Sequence, residues 1–254
     1  MPILCFSGRK QSGKGSAVNF IHALGFTMIP GLQIVEKAYV NNNGELVVDT
    51  AEEGERGFDV NSRDPECRAW MAERVWPFMR SFSFADPLKE MCVDILGLTE
   101  EQVYGTNEQK NSLVPHLLWE NFPIKYKGKK GPMTSREVQQ YVGTDIYRQF
   151  YPDCFADSTI RRIKQSNSFY SLLGDCRFPN EVNKTQEAGG KVIRFTRSVF
   201  NDDHYSEHAL DEDKFDWSKF DAVIDNQNLT IDETNNLVFH QLVLWDWIDV
   251  KVQQ

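Results

Sequence analysis

Ile3-Leu4-Cys5-Phe6 is a short unbroken apolar run, and apolar residues return at helical spacing at Ala17, Val18, Phe20, Ile21 and Leu24. A polar, glycine-containing stretch separates the two. This pattern predicts a buried strand over 2–7, a turn, and then a helix. The next region follows another rhythm. In "VEKAYVNNNGELVVD" apolar and polar residues alternate on both sides of Asn43-Gly44, which predicts a β-hairpin. The acidic "TAEEGERG" behind it predicts an exposed loop, and about 27–64 as a whole predicts an insertion outside the core of the first strand and helix.

Further along, Trp70, Val75 and Phe78 predict a helix over 66–79, "SFSFA" (81–85) a second strand, and Asp86-Pro87 a helix start. Residues 105–133 are turn-rich and carry "IKYKGKKGP", a basic segment read either as a lid near phosphate or as a solvated loop. Thr134-Ser135-Arg136-Glu137 has the form of a capping box and predicts a helix over 134–151, with a second over 155–165. From 169 onward strand and helix patterns alternate: "FYSLLGD", a helix 179–188 closed by Gly189-Gly190, "KVIRFTR", "FDAVIDN", and a helix over 230–248. Such alternation predicts an α/β fold with a central, mainly parallel sheet and right-handed crossovers.

The polar stretch after the first strand is "GRKQSGKGS" (8–16), a Gly-x4-Gly-Lys motif between a predicted strand and a predicted helix. That context is what a phosphate-binding loop requires. Gly8, Lys10, Ser12, Gly13 and Gly15 lie where successive backbone N–H groups turn inward, the helix N-terminus adds partial positive charge, and Lys14 reaches the outer phosphates. Before ligand binds, Lys14 is expected to be an exposed loop charge. Gly15 stands where such loops usually carry the hydroxyl that meets magnesium, and Ser16, one place later, is the candidate for that role. Gly-Lys-Gly with a following hydroxyl is similar to the adenylate kinase form of the loop, which points to a small-molecule kinase rather than a GTPase.

Composition narrows the field. Of the 254 residues 41% are hydrophobic, enough for a large core, and a net charge of -9 argues against a general binder of nucleic-acid polymer. A small anionic substrate needs only a local basic cluster. The five cysteines form no C-x-x-C pair, so buried thiols in a reducing, cytoplasmic setting are expected and a zinc site is not. No apolar stretch is long enough to span a membrane. His204 and His208 lack partners at metal-ligand spacing, and Trp245 and Trp247 are expected to pack on the core.

A second constellation follows the strand "FYSLLGD". "DCRFPNE" places Asp175, Arg177 and Glu181 within seven residues, at a strand end where open parallel sheets bind ligands. Asp175 as helix cap, Pro179 in the first turn and Glu181 completing the cap would account for most of it. Arg177 is left over. A cation at a helix N-terminus makes sense if an anion lies between them, and its planar fork suits phosphate oxygens.

At this point the chain resembles the bacteriophage deoxynucleoside monophosphate kinases, a branch of the P-loop nucleoside monophosphate kinases. The likeness runs over the phosphate loop, "FADPLKEM" (84–91), "VQQYVGTDIYR" (138–148), "DCRFPNEV" (175–182), "VIRFTR" (192–197), "DDHYSEHALD" (202–211) and "FDAVIDN" (220–226). It implies a P-loop kinase-like three-layer fold, one domain over 1–254 with the hairpin insertion and a candidate lid or substrate-binding region at about 99–165. It also implies ATP and Mg²⁺ as cofactors, a deoxynucleoside monophosphate as acceptor, no membrane or nucleic-acid partner, and a homodimer as one assembly; a phage protein of this kind would work in the host-cell cytoplasm. Residue by residue, the resemblance puts Lys14 on the β- and γ-phosphates and Arg197 near adenine. It puts Lys89, Lys110, Arg136, Gly143, Asp145, Phe155, Asp175, Arg177 and Glu181 on the acceptor side. "HYSE" is shared but receives no role.

The chemistry implied needs little acid–base work, because a phosphate monoester is already mostly a dianion at neutral pH. Catalysis consists of aligning two polyanions and neutralising the transition state, a task suited to Lys14, Arg136, Arg177 and Mg²⁺. Asp175 is then an orienting group. The alternatives are a different small-molecule kinase, such as a dephospho-coenzyme A kinase-like enzyme, or a non-catalytic nucleotide-binding module. A base-selecting Asn-Lys-x-Asp is absent, and Asp94-Ile95-Leu96-Gly97, the formal switch match, lies in a predicted helix.

Overall fold

Five parallel strands form the central sheet in the order β10-β9-β1-β8-β5. The computed structural model describes residues 2–248 apart from 30–31, 33–34, 51–53, 124–127 and 200–204. In chain order its elements begin with β1 (Ile3–Ser7), α1 (Lys14–Met28), β2 (Lys37–Val40), β3 (Leu46–Thr50), β4 (Gly54–Gly57), α2 (Pro65–Arg74) and β5 (Met79–Phe82). Then come α3 (Asp86–Asp94), α4 (Glu100–Tyr104), α5 (Asn107–Lys110), β6 (Leu113–Leu118), β7 (Pro132–Thr134), α6 (Ser135–Tyr141) and α7 (Arg148–Phe150). The chain continues with α8 (Cys154–Ser166), β8 (Tyr170–Cys176), α9 (Pro179–Glu187), β9 (Lys191–Phe195), α10 (Tyr205–His208), β10 (Ala222–Ile224) and α11 (Ile231–Leu244). The expected α/β class and parallel sheet are borne out.

The chain divides into two units. The first, Met1–Ser83 with Ile160–Gln254, holds the parallel sheet. β1 is buried at all five positions, as its unbroken apolar run requires for a central strand. Phe6 and Phe195 stack across β1 and β9 at 5.6 Å between ring centroids. Helix α1 contributes Ala17, Val18, Ile21 and Phe26 to this core, and α11 contributes Val238 and Leu242.

The hairpin is present as β2 and β3, but two expectations about it change. "TAEEGERG" is not all loop: Gly54–Gly57 pairs antiparallel with β3, from Val47 opposite Gly57 to Thr50 opposite Gly54. All four of its residues are exposed, so nothing in their polarity signals a strand; the ladder to β3 supplies it. Nor does the hairpin stand outside the core. Leu46 and Val48 are almost fully buried and belong to the same apolar cluster as Phe6 and Phe26.

The second unit, Phe84–Thr159, has its own core of Cys92, Leu98, Val103, Val114, Trp119, Met133, Val138 and Val142. The turn-rich region contains a two-stranded sheet of β6 and β7. Of "IKYKGKKGP", Ile124–Lys127 lie outside the described residues; Lys129 pairs with Glu137 at 3.0 Å. The capping box at Thr134 and Glu137 is formed. The helix expected over 134–151 is not uniform, because Val142–Tyr147 winds as a π-helix between α6 and α7. Gly143 sits there because a Cβ would strike Leu88 Cδ2 on α3. α2 stops at Arg74, short of the expected 79, and α3 ends at Asp94, so the Asp94–Gly97 stretch straddles a helix end with Gly97 at φ 70. Among the described residues no helix is long and apolar enough to cross a membrane.

Candidate functional site

The loop from Gly8 to Gly13 joins the C-terminal end of β1 to α1. Gln11 (φ 58) and Gly13 (φ 101) both take left-handed backbone, which curls the chain sharply between β1 and α1. α1 then begins with no acidic residue in its first turn and no side-chain cap. Its N-terminal N–H groups are therefore not capped by a side chain, the state in which a helix N-terminus can receive an anion.

Lys14 is not the exposed charge expected of it. Only 7% of it is accessible, and its Nζ donates to the Gly8 carbonyl at 2.7 Å, the Arg9 carbonyl at 2.6 Å and Ser12 Oγ at 3.4 Å. The side chain folds back over its own loop because those carbonyls are the acceptors within reach. Burial pushes the Lys14 ammonium down to about 7, with Arg177 and Arg194 adding to the effect and Asp175 opposing it. An ammonium poised so near neutrality is one that an incoming polyanion would hold firmly in its charged form.

Two neighbouring strand ends complete the set. Between β1 and β8 the register shifts from Cys5 opposite Leu173 to Ser7 opposite Cys176, so β8 carries an irregularity at Gly174-Asp175. Asp175 accepts from Ser83 Oγ at 2.6 Å, across to the end of β5. It is not the cap of α9. The N-cap is Phe178, and buried Glu181 supplies the cap, its Oε2 accepting from Arg177 N at 2.7 Å and Phe178 N at 3.1 Å. Glu181 thereby fixes the backbone from which Arg177 projects. The Arg177 guanidinium, 34% accessible, pairs with Glu207.

Four groups that sequence reasoning left without a role bind this loop to the rest of the unit. Glu207 Oε2 accepts from Lys10 N at 2.7 Å. Asp211 holds the Arg9 guanidinium with both oxygens, at 3.1 and 2.6 Å, and also meets His208 Nδ1 at 3.0 Å. Burial alone would raise its carboxyl, but Arg9 and His208 outweigh that and hold it below the usual carboxylate range. Asn226, fully buried, donates to the Ser12 carbonyl at 2.8 Å. Arg194, nearly buried, donates to Ser7 Oγ at 3.2 Å. "HYSEHALD" and "FDAVIDN" carried the signal, as polar residues at fixed places beside apolar ones. His204 lies outside the described residues.

Arg197 is tied to the turn after β10. Its N–H donates to Asn226 Oδ1 at 3.0 Å, its Nε to the Asn226 carbonyl at 3.1 Å, and its Nη2 to the Leu229 carbonyl. Ser16, half-buried in the first turn of α1, meets the hairpin turn: a Cβ on Gly44 would fall on Ser16 Oγ.

In the second unit Lys89, Lys110 and Arg136 come together. The Lys110 ammonium is lowered by burial and then by repulsion from Lys89 and Arg136, and such a like-charge cluster is a place for an anion. Arg136 is oriented by Asn111 Oδ1 at 3.0 Å and Asn107 Oδ1 at 2.9 Å. Phe155 is buried, with Tyr147 at 6.2 Å between ring centroids and Arg148 over its face at 5.1 Å. Asp145 is half-buried in the π-helix. Among the described residues no group of three metal-ligating side chains occurs, and the cysteines are free.

No protein-family profile matches the chain. It is 33% identical over 165 residues to a protein of Acanthamoeba polyphaga mimivirus named "Putative deoxynucleotide monophosphate kinase", a match covering 59% of this chain and 76% of that one. With the strand, the glycine loop and its lysine in the arrangement such kinases require, the chain belongs to the deoxynucleotide monophosphate kinase family.

Proposed function

We propose that the protein transfers the γ-phosphoryl group of ATP to a deoxynucleoside 5′-monophosphate, giving the diphosphate and ADP. The observation that carries this reading is the placing of Lys14, behind the glycine loop, and Arg177, after β8, at the ends of two neighbouring parallel strands, where the Arg177 charge helps to push the Lys14 ammonium down. Two cations held together in partial burial repel one another; a polyphosphate between them removes the repulsion. The loop and α1 take the triphosphate, Lys14 leaves its own carbonyls for the outer phosphates, and Arg177 forks across oxygens of the group in transfer. The Lys89, Lys110 and Arg136 cluster serves the acceptor nucleotide.

Ser16 and Asp175 offer hard oxygen donors of the kind Mg²⁺ takes alongside phosphate oxygens. When bound, Mg²⁺ would neutralise charge on the β- and γ-phosphates. Asp175, ordered by Ser83, orients rather than accepts a proton. A coupled assay of ADP release across the four deoxynucleoside and four ribonucleoside monophosphates tests the reading. Turnover with one or more deoxy acceptors is expected. Binding of ATP with no ADP release above the background with any of them would overturn it.

A further inference from the structure

The Glu207 carboxylate spans two groups that have no need of each other in the fold. Its Oε2 accepts the Lys10 amide of the glycine loop at 2.7 Å, while its Oε1 meets a terminal nitrogen of Arg177. Those donors stand at the C-terminal ends of β1 and β8, which are neighbours in the sheet. A loop amide and a guanidinium, each giving one bond to one of two oxygens on a single atom, are the partners that one edge of a phosphoryl group takes. Arg177 is a third accessible, so the pair is open to a ligand, whereas Glu207 itself is 6% accessible in its side chain. Anchorage of this segment does not depend on Glu207, because Asp211 already holds Arg9 with both of its oxygens.

We propose that the Lys10 amide and the Arg177 guanidinium form an anion subsite for a phosphoryl group, and that Glu207 is its resident anion in the free protein. Phosphate binding there displaces the carboxylate, so Glu207 sets affinity by competition. The inference rests on the phosphate-loop reading of residues 8–16.

The sign of one substitution decides it. Glu207→Gln keeps the shape and an acceptor for Lys10 but removes the charge that holds Arg177. If Glu207 occupies the subsite nine-tenths of the time, freeing it tightens binding about tenfold. Inorganic pyrophosphate, which has no base or sugar, is titrated calorimetrically into the full chain, with ATP as reference. Glu207→Gln is expected to bind pyrophosphate about tenfold more tightly than the wild type. Adding Arg177→Gln to that variant cancels the gain. Glu207→Asp, too short to span both donors, gives a smaller gain in the same direction and serves if Glu207→Gln melts below the assay temperature. Pyrophosphate affinity equal to or weaker than wild type in a folded Glu207 variant overturns the subsite while leaving the ATP-binding loop intact. Loss of that reading itself is distinct: the wild type would then bind neither pyrophosphate nor ATP.

Discussion

Asn226 Nδ2 donates to the carbonyl of Ser12 at 2.8 Å, joining residues 214 positions apart. Its Oδ1 accepts from Arg197 N at 3.0 Å, so one buried amide holds the floor of the glycine loop against the end of β10. Asn226→Ala leaves a loop carbonyl without its partner, at a cost of about 1–3 kcal/mol. Asn226→Asp is the harsher change, because a carboxylate cannot donate to that carbonyl and adds negative charge beneath the proposed phosphate site. ATP affinity is expected to fall about tenfold in Asn226→Ala and further in Asn226→Asp. Wild-type affinity in both, by calorimetry, would show that the loop's shape does not depend on this bond.

Lys14→Ala should cost both stability and turnover. The carbonyls of Gly8 and Arg9 lose their buried donor. About 1–3 kcal/mol of stability is at stake, partly offset by relief of the repulsion from Arg177 and Arg194. Turnover should fall by about 10²–10⁴, as when other electrostatic catalytic groups are removed. Activity within about threefold of wild type would remove Lys14 from the reaction.

What the chain made legible, and what it hid, follows from the range of the forces involved. The strand, loop and helix of residues 2–28 are local, and periodicity with two glycines suffices to find them. The Asn43-Gly44 hairpin is local too. β4 was invisible because Gly54–Gly57 is exposed throughout and owes its conformation to β3. Burial of Lys14 depends on loop curvature that "GRKQSGKGS" does not spell out. Glu207 carried no readable role because Lys10 lies 197 positions away, and only the parallel order of the strands brings them together.

Proton uptake should report the state of Lys14. Its folded-state value, about 7, lies below the 10.5 of a free lysine, so between these two pH values the unfolded chain holds more protons and stability rises with pH. Phosphate beside the ammonium raises its affinity for a proton. At pH 8 ATP binding in excess Mg²⁺ should therefore take up close to one proton, and at pH 6, where Lys14 is already charged, much less. Calorimetry in two buffers of different ionisation enthalpy measures this directly. Uptake that is nil at pH 8 would mean Lys14 is charged before ligand arrives.

The hairpin turn should matter to the nucleotide. Gly44 has φ 81, its carbonyl accepts from Asn19 Nδ2 at 2.9 Å, and a Cβ there would fall on Ser16 Oγ. Gly44→Ala adds about 1 kcal/mol of backbone strain and pushes on the hydroxyl proposed to meet Mg²⁺. Replacing Asn41–Gly44 by a two-residue turn removes the contact altogether. Both changes should raise the Mg²⁺ concentration needed for half-maximal rate, as Ser16→Ala does, with kcat less affected. An unchanged Mg²⁺ dependence in all three would separate Ser16 and the hairpin from the metal.

Arg177→Lys should damage turnover far more than charge counting allows. Lysine retains the cation and can still meet Glu207, and the backbone at 177 stays fixed by Glu181, so the fold should be unaffected. What is lost is the planar fork: an ammonium is a point charge and cannot give two parallel bonds to phosphate oxygens. A point charge still serves the subsite shared with the Lys10 amide, where Glu207 competes with phosphate for either cation, so binding of ATP alone should change little. The loss should therefore appear when the acceptor is present and the phosphoryl group moves. We expect kcat/KM for the deoxynucleoside monophosphate to fall about 10–100-fold, one to three kcal/mol of transition-state binding, with ATP affinity measured without acceptor nearly unchanged. Full turnover in the lysine variant would leave Arg177 a long-range charge only. A fall confined to ATP affinity would move it to the donor side and take it out of the proposed acceptor-phosphate clamp.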